Sequence, residues 1–396
     1  LVQSSKELVV ARAVQGGYGI ASSNRAKPDE ARRLAGIALT NARMASPVNL
    51  APVRPERGSA MKKERRAPTP EEAGRLVSSI ASLLREKLKE FRHHIELVFE
   101  YNVKERKMCS TDGHEISERM PYTTLVMFAS AEGRASASEV VGGQGGFEAL
   151  GSKDFEAVAD DMVKKIRDTL KGRLLSPIAR GGRFDVILDE AATGFLAHEL
   201  AHTLEADSFN PRVFSGANPT SYMRLYDDPA LPYGFGSRIW DDEGVRSVKK
   251  ELFSKDSVSL LHTRLTAGES ERPGNARGML HRPKALMSNV YIAPGDWRVE
   301  ELFEETKEGI FIRGAVKAEV DTATGILTMR AESAYYYKKG EGFQPLAELT
   351  LQDTIKRIVS SLDAATKLAR IRPNLERGYP VADGGPYIRL SKVRCN

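Results

Sequence analysis

The sequence predicts an α+β protein of two domains, and three observations carry that expectation. A chain of 396 residues is long enough for two hydrophobic cores, each of about 150–200 residues. Its first half alternates strand-like runs with long helical patterns, whereas beyond Asp207 short strand-like runs are separated by turn residues. Between them the Gly181-Gly182 pair marks a boundary. The expected division is an N-terminal domain of α/β layers over 1–182 and a C-terminal domain rich in antiparallel β-sheet over 183–396.

The elements follow in order. Leu8 to Ala21 alternates as two strands about a Gly16-Gly17 turn. Pro28 to Met44 reads as a helix, with Asp29 and Glu30 in its first turn and Leu34, Ile37, Ala38 and Leu39 on its apolar side. A proline-rich basic stretch reads as a loop. A second helix is expected from Pro70 to about Arg85 or beyond, opened by Glu71 and Glu72, whose charges suit a helix N-terminus. Ile95 to Glu105 and Thr123 to Ser138 alternate as strands joined around Asp112-Gly113. His93, His94 and His114 read as surface residues. Asp154 to Leu170 is helical, its Phe155, Val158, Met162 and Ile166 stripe a core face. Val186 to Leu188 reads as a buried strand and Ala191 to Gly194 as a turn. Later turns fall at Asn218-Pro219, Asp228-Pro229 and Pro294-Gly295, and a helix from about Leu351 to Leu368 precedes the last β segment.

Composition excludes several classes of function. With 41% hydrophobic and 28% charged residues the chain is ordinary for a globular protein, and no stretch approaches the ~18 apolar residues of a membrane span. Two cysteines in this length give no disulfide framework and suggest a reducing, cytoplasmic setting. The net charge of +6 invites a nucleic-acid reading. Its densest run, Lys62-Lys63-Glu64-Arg65-Arg66, lies among prolines with no interleaved aromatics and reads as a solvated linker. Neither membrane nor nucleic acid is an expected partner. The Leu1-Val2-Gln3 start, without Met or a signal pattern, reads as a fragment or processed product.

One segment specifies a chemistry. In His198-Glu199-Leu200-Ala201-His202, histidines four apart on a helix project from one face, about 6 Å apart along the axis, the separation that grips one zinc ion. Glu199 stands roughly 60° around the helix from His202, close enough to take a proton from a water that the metal acidifies. Apolar Phe195, Leu196, Leu200 and Leu204 bury the other side of that helix. A catalytic zinc normally takes three protein ligands plus water, so the motif leaves one ligand open. Glu205 would stand about 10.5 Å along a continuing helix from His198, so it and Asp207 suit a supporting role that orients an imidazole, with direct ligation as the alternative.

Around this helix the residues resemble the TldD/PmbA family of metallopeptidases. The blocks carrying the resemblance are His202-Thr203-Leu204-Glu205-Ala206-Asp207, Gly17-Tyr18-Gly19-Ile20-Ala21-Ser22-Ser23-Asn24, Thr111-Asp112-Gly113 and Gly142-Gly143-Gln144-Gly145-Gly146-Phe147-Glu148. They continue with Asp241-Asp242-Glu243-Gly244, Gly274-Asn275-Ala276-Arg277, Met287 to Gly295 and Gly384-Gly385-Pro386. The resemblance implies a two-domain zinc-dependent peptidase that hydrolyses peptides or unfolded segments in an enclosed cleft. It also implies a dimer, either with itself or with a PmbA/TldE-like sister subunit. Gly143, Asn275 and Arg277 are candidate substrate-binding residues.

The chain departs from the family in three places. Two residues separate Glu199 from His202 where the family has three, which gives regular helical spacing. Relatives carry about fifty more residues at the start. The third zinc ligand, a Cys in the family, falls on Arg372, a cation that opposes a metal if it points inward. Replacement ligands are then Glu205, Asp207, a carboxylate of Asp241-Asp242-Glu243, or Cys395 if the tail folds back. These departures support the alternative of a non-catalytic subunit that binds peptide or a sister subunit.

Overall fold

The computed structural model describes residues 4–25, 27–151, 153–175, 181–278 and 280–396; Leu1, Val2 and Gln3, on which the reading of a processed start rests, lie outside them. The first elements are the hairpin β1 (Val9–Gln15) and β2 (Gly17–Ser23), which packs on helix α1 (Pro28–Met44). The approach is close because Gly19 has no side chain: a Cβ there would meet the Ala38 carbonyl oxygen at 1.9 Å. Strand β3 (Arg57–Met61), helix α2 (Pro70–Lys87), strands β4 (His93–Cys109), β5 (Glu115–Ala131) and β6 (Ala135–Gln144), and helix α3 (Phe155–Lys171) follow.

These strands form a four-stranded sheet in which β5 pairs with β3, β4 and β6. Helices α2 and α3 lie over it, burying Leu84, Leu125, Met162 and Ile166 in one cluster. Each such side chain contributes about 1.5–3 kcal/mol by leaving water. Both helices start where capping chemistry says they should. Thr69 and Glu72 exchange hydrogen bonds at the head of α2, and Asp154 accepts from the Glu156 and Ala157 amides at the head of α3.

Most of the rest of the chain builds one large sheet, beside a separate two-stranded pair. In order come β7 (Gly182–Leu188), α4 (Glu190–His202), β8 (Leu225–Asp227), β9 (Lys250–Phe253), the single turn α5 (Arg264–Ala267), β10 (Ala276–Arg277), β11 (Lys284–Ala285), β12 (Asn289–Ile292), α6 (Val299–Glu304), β13 (Glu308–Asp321), β14 (Ile326–Lys338), β15 (Gly342–Leu346), β16 (Thr350–Thr354), α7 (Ile355–Ser361), β17 (Leu362–Glu376) and β18 (Tyr379–Cys395). Among the described residues ten strands join in the order β15-β14-β13-β7-β18-β12-β8-β9, with β16 and β17 attached to β14 and β18. The chain is therefore α+β throughout. The pairing is mostly antiparallel, but β12 runs parallel to β18 and β13 parallel to β7.

Helix α4 lies across the middle of this sheet, against β18, β13 and β12. That position explains its composition. Leu196, Ala197, Leu200 and Ala201 are buried in a cluster with Leu188, Ile312, Ile292 and Ile388 from the strands beneath. A helix apolar on most of its circumference can afford few polar residues, so the histidines it carries face a built environment.

Several expectations are corrected. Ala191 to Gly194 is not a turn: α4 begins at Glu190 because the Asp189 carboxylate accepts from the Ala192 amide at 2.8 Å and caps the helix. The span read as one strand from Thr123 to Ser138 is split at Glu132-Gly133 into β5 and β6, both residues having positive φ. The basic stretch contains β3. The helix expected from Leu351 to Leu368 is confined to α7, since Leu362 onward pairs with β18, and ladder hydrogen bonds with a central strand outweigh a weak helical preference. His114 is 1% exposed, not a surface residue; its Nδ1 accepts from the Glu56 amide at 3.0 Å. No helix among the described residues is long and apolar enough to cross a membrane.

Candidate metal centre

The last turn of α4 presents both imidazoles to one point. His198 and His202 lie edge to face with ring centroids 4.9 Å apart, and their Nε2 atoms are separated by 3.2 Å. Each ring is held from behind by a carboxylate. His202 Nδ1–H donates to Glu205 Oε1 at 2.7 Å, and His198 Nδ1 faces Asp383 Oδ2 at 3.5 Å, a charge contact too long for a full hydrogen bond. Protons on the Nδ1 atoms leave both Nε2 lone pairs pointing into the shared space.

A third group enters from the hairpin between β17 and β18. Arg377 and Gly378 form its two-residue turn, with φ of +53° and +78°, the left-handed pair that such hairpins require. That turn leaves Glu376 at the tip, and its Oε2 lies 3.5 Å from His198 Nε2 and 3.9 Å from His202 Nε2. Two nitrogens and a carboxylate oxygen thus converge within 4.8 Å of one another.

Three lone-pair donors facing each other repel unless a cation lies among them. Zn–N bonds of about 2.0–2.1 Å at a tetrahedral centre put two ligand nitrogens about 3.3 Å apart. The observed 3.2 Å fits that edge, as it also fits an N–H···N hydrogen bond between the rings when one of them is protonated. The electrostatics agree: burial pushes the His198 pKa down, but Asp383 and Glu376 outweigh it and hold the imidazole up at about 9, so the site calls for positive charge. Glu376 is held below the usual carboxylate range by His198 first, against the opposing effect of burial. The donor set therefore fits a divalent metal.

Asp383 is fully buried, and burial alone would raise its pKa; Arg372, His198 and Asn374 overcome that and lower it to about 2. Arg372, at the position of the family's Cys, does not aim its charge at the centre. Its Nε donates to Asp383 Oδ1 at 2.6 Å and its guanidinium lies 3.8 Å from the Phe195 ring centroid. Period-two alternation puts Arg372, Asn374 and Glu376 on one face of β17, so the residue read as a defect is part of the carboxylate support. Gly194 leaves room for Asp383: a Cβ there would come 2.7 Å from Asp383 Oδ1.

Glu199 is half-buried one position beyond His198; burial raises its pKa while His202, His198 and the Val320 backbone oppose that rise. Glu205 is buried behind His202 and also meets Arg377 at 3.3 Å, a supporting position rather than a ligand's. Asp207 accepts from the Ala285 amide at 2.6 Å and is outside the converging group. Asp241 accepts from the Glu243, Val245 and Ala276 amides, Asp242 from Arg106 and the Gly278 amide, and Glu243 from the Arg264 amide, so none of the three joins it. The Cys395 thiol is buried where β18 meets Leu351 and β7, with its pKa pushed up to about 12 by burial.

The substrate candidates divide. Gly143 lies in β6, where a Cβ would meet the Tyr233 carbonyl oxygen at 2.4 Å, so its bareness serves packing within the chain. Asn275 is buried and donates to Asp227 Oδ2 at 2.9 Å. Arg277 is nearly buried and lines a small cleft, its guanidinium 5.9 Å from the Tyr379 ring centroid. Glu376 was missed because nothing in its local sequence marks a ligand; the Arg377-Gly378 turn that aims it was the available signal.

Fold and centre together define a class: an α+β protein with two main sheets that carries a His-Glu-x-x-His helix and a convergent metal-ligand group. Residues 181–396 match the PmbA/TldA metallopeptidase C-terminal domain and residues 63–170 the central domain of the same family. The chain belongs to the PmbA/TldD family. It is 36% identical over 266 residues to a metalloprotease of Methanocaldococcus jannaschii, an alignment covering 62% of this chain and 58% of that relative. It is 25% identical to a zinc metalloprotease TldD homolog of Saccharolobus solfataricus, over 74% of this chain and 68% of the relative. The chain thus spans less than two thirds of the first of these proteins. The fold is shared with the crystal structure of TldE from Thermococcus kodakarensis, with TM-score 0.74 and 18% identity over 98% of this chain and 89% of that one.

Proposed function

We propose that the chain is a zinc-dependent peptidase in which His198, His202 and Glu376 hold the metal and Glu199 is the general base. The observation that carries this reading is the convergence of three lone-pair donors within 4.8 Å at the end of a half-buried helix. Relatives named metalloprotease and zinc metalloprotease support the choice of reaction and ion.

When bound, the ion would lower the pKa of a water towards ~7 and polarise a carbonyl. The remaining work belongs to the chain. Glu205 and Asp383 fix the two rings so that Nε2 faces the centre. The raised pKa of Glu199 makes its carboxylate a stronger base, able to accept a proton from the attacking water and return it to the departing amine. Arg377 lies 3.2 Å from Glu376 Oε1 and steadies the carboxylate at the hairpin tip.

The divisions 1–182 and 183–396 would act as two domains flanking an enclosed peptide cleft, in a cytoplasmic dimer formed with itself or with a PmbA/TldE-like subunit. Metal analysis combined with cleavage of a mixed peptide library tests the reading. Bound zinc, with cleavage lost in Glu199→Gln while the metal is kept, is the expected result. Full cleavage by Glu199→Gln removes the base from the mechanism. A metal-free chain that still captures peptide would instead favour the non-catalytic reading, for which the observation is Arg372 at the family's Cys position.

A further inference from the structure

Next to the hairpin that carries Glu376 lies a second polar site that the metal chemistry does not use. It is a narrow cleft lined by Lys104, Arg106, Arg238 and Arg277 over one carboxylate, Asp242, with Trp240 and Tyr122 among its walls. Pro380 also lines it, and Pro380 sits across the hairpin from Leu375, the neighbour of Glu376.

The cations are not balanced within the site. Arg106 is spoken for, since it pairs with Glu118 and with Asp242 at 3.0 Å. Arg238 is different: it is 7% exposed, and among the described residues only its Nε has a side-chain partner, Ser247 Oγ at 3.0 Å, while its buried Nη1 and Nη2 have none. Arg277 Nε is likewise buried, with no partner among the described residues. Nearby Asp227, Asp241 and Asp242 attract Arg238 through space but spend their hydrogen bonds on Ser288 and Asn275, on the Glu243, Val245 and Ala276 amides, and on Arg106 and the Gly278 amide respectively. Burial first, then the charge of Arg277, lowers the Arg238 pKa to about 10. Leaving guanidinium donors dry and unpaired is costly, and a planar oxyanion is the ligand whose geometry matches their fork.

We propose that this cleft is a carboxylate-binding subsite, held by Arg238 and Arg277, that anchors one end of a peptide whose neighbouring residues cross the metal centre. The inference rests on the peptidase reading for the identity of the ligand as a peptide. The carboxylate is that of a chain terminus or of an acidic side chain, and the two are separable by experiment. Met120, Tyr122, Trp240 and Pro380 line the same cleft.

The chain has two tryptophans, Trp240 in the cleft wall and Trp297 elsewhere. In full-length protein carrying Trp297→Phe and Glu199→Gln, fluorescence therefore reports on the cleft without turnover. Short neutral peptides with a free C-terminus are titrated against their amides, and against amides ending in Glu. Free acids are expected to bind at least about tenfold tighter than amides, with Arg277→Gln abolishing the difference and Arg238→Gln doing the same if it folds. Binding of the Glu-ended amide as tightly as the free acid assigns the subsite to a side-chain carboxylate. Equal affinity for acid and neutral amide, a preference that survives Arg277→Gln, or no response to any peptide overturns the proposal. A parallel cleavage assay of the Trp297→Phe parent separates the two claims: cleavage indifferent to the terminus sinks the subsite alone, whereas acid-dependent binding without cleavage sinks only the peptidase reading.

Discussion

At the scale of single residues, the centre depends on pairs rather than on isolated ligands. His202 is aimed by Glu205, so Glu205→Ala should weaken metal binding about 10–100-fold without unfolding the chain, measured by competition with a chromophoric chelator. Unchanged affinity would show that the helix alone fixes the ring. His198 depends on Asp383, whose place beside α4 exists because residue 194 has no side chain. Gly194→Val should displace that carboxylate and lower metal affinity in the same assay, while Gly36→Ala, where nothing lies within reach of a Cβ, should be neutral or slightly stabilising. The His-Glu-x-x-His spacing made both histidines and Glu199 legible in the sequence. Glu376 was not legible, because its ligating role comes from a turn that folds a distant strand back over the helix.

At the scale of elements, the local rules succeeded where an element's own residues decide its form. Helix α1 occupies the predicted span, and α2 and α3 differ from theirs by a residue or two, since all three have acidic first turns, proline opens α1 and α2, and side chains cap α2 and α3. They failed where the sheet decides. Leu362 to Leu368 has helical periodicity yet lies in β17, where Leu362, Ala364 and Ala365 pair with β18, and Ala191 to Gly194 looks like a turn until Asp189 is seen to cap it. Asp189 Oδ1 also accepts from the Gly314 amide at 2.9 Å, tying α4 to β13. Asp189→Ala is therefore expected to cost about 1–2 kcal/mol, read from a chemical-denaturation midpoint. No shift in midpoint would mean that packing alone starts the helix.

At the scale of the whole molecule, two sheets with separate cores meet through buried charge. Lys165 on α3 reaches Glu332 on β14 at 2.8 Å, and Glu332 also accepts from the Ser138 amide at 2.6 Å. Removing one partner leaves an unpaired buried charge, so Glu332→Leu should cost about 3–5 kcal/mol, and more than Lys165 and Glu332 replaced together. Acid stability belongs to this scale as well. Burial would raise the pKa of Asp242, but Arg277, Arg106 and Lys104 hold it at about 2, below the usual 3.8. Its contribution is complete above 3.8 and is lost as pH falls through about 2, so Asp242→Asn should flatten the loss of stability across that window. The α+β class and the family were readable from collinear blocks along the chain. The sheet's mixed pairing was not, because parallel partners such as β7 and β13 are far apart in sequence.

The central claim is that the end of α4 and the tip of the β17–β18 hairpin together hold one divalent ion. Anomalous diffraction at the zinc edge from crystals of the full chain grown with zinc tests it directly. The predicted result is a single strong peak bonded to His198 Nε2, His202 Nε2 and Glu376, absent from crystals of Glu376→Ala. A peak bonded instead to other residues, or one that keeps its position and height when Glu376 is removed, would contradict it.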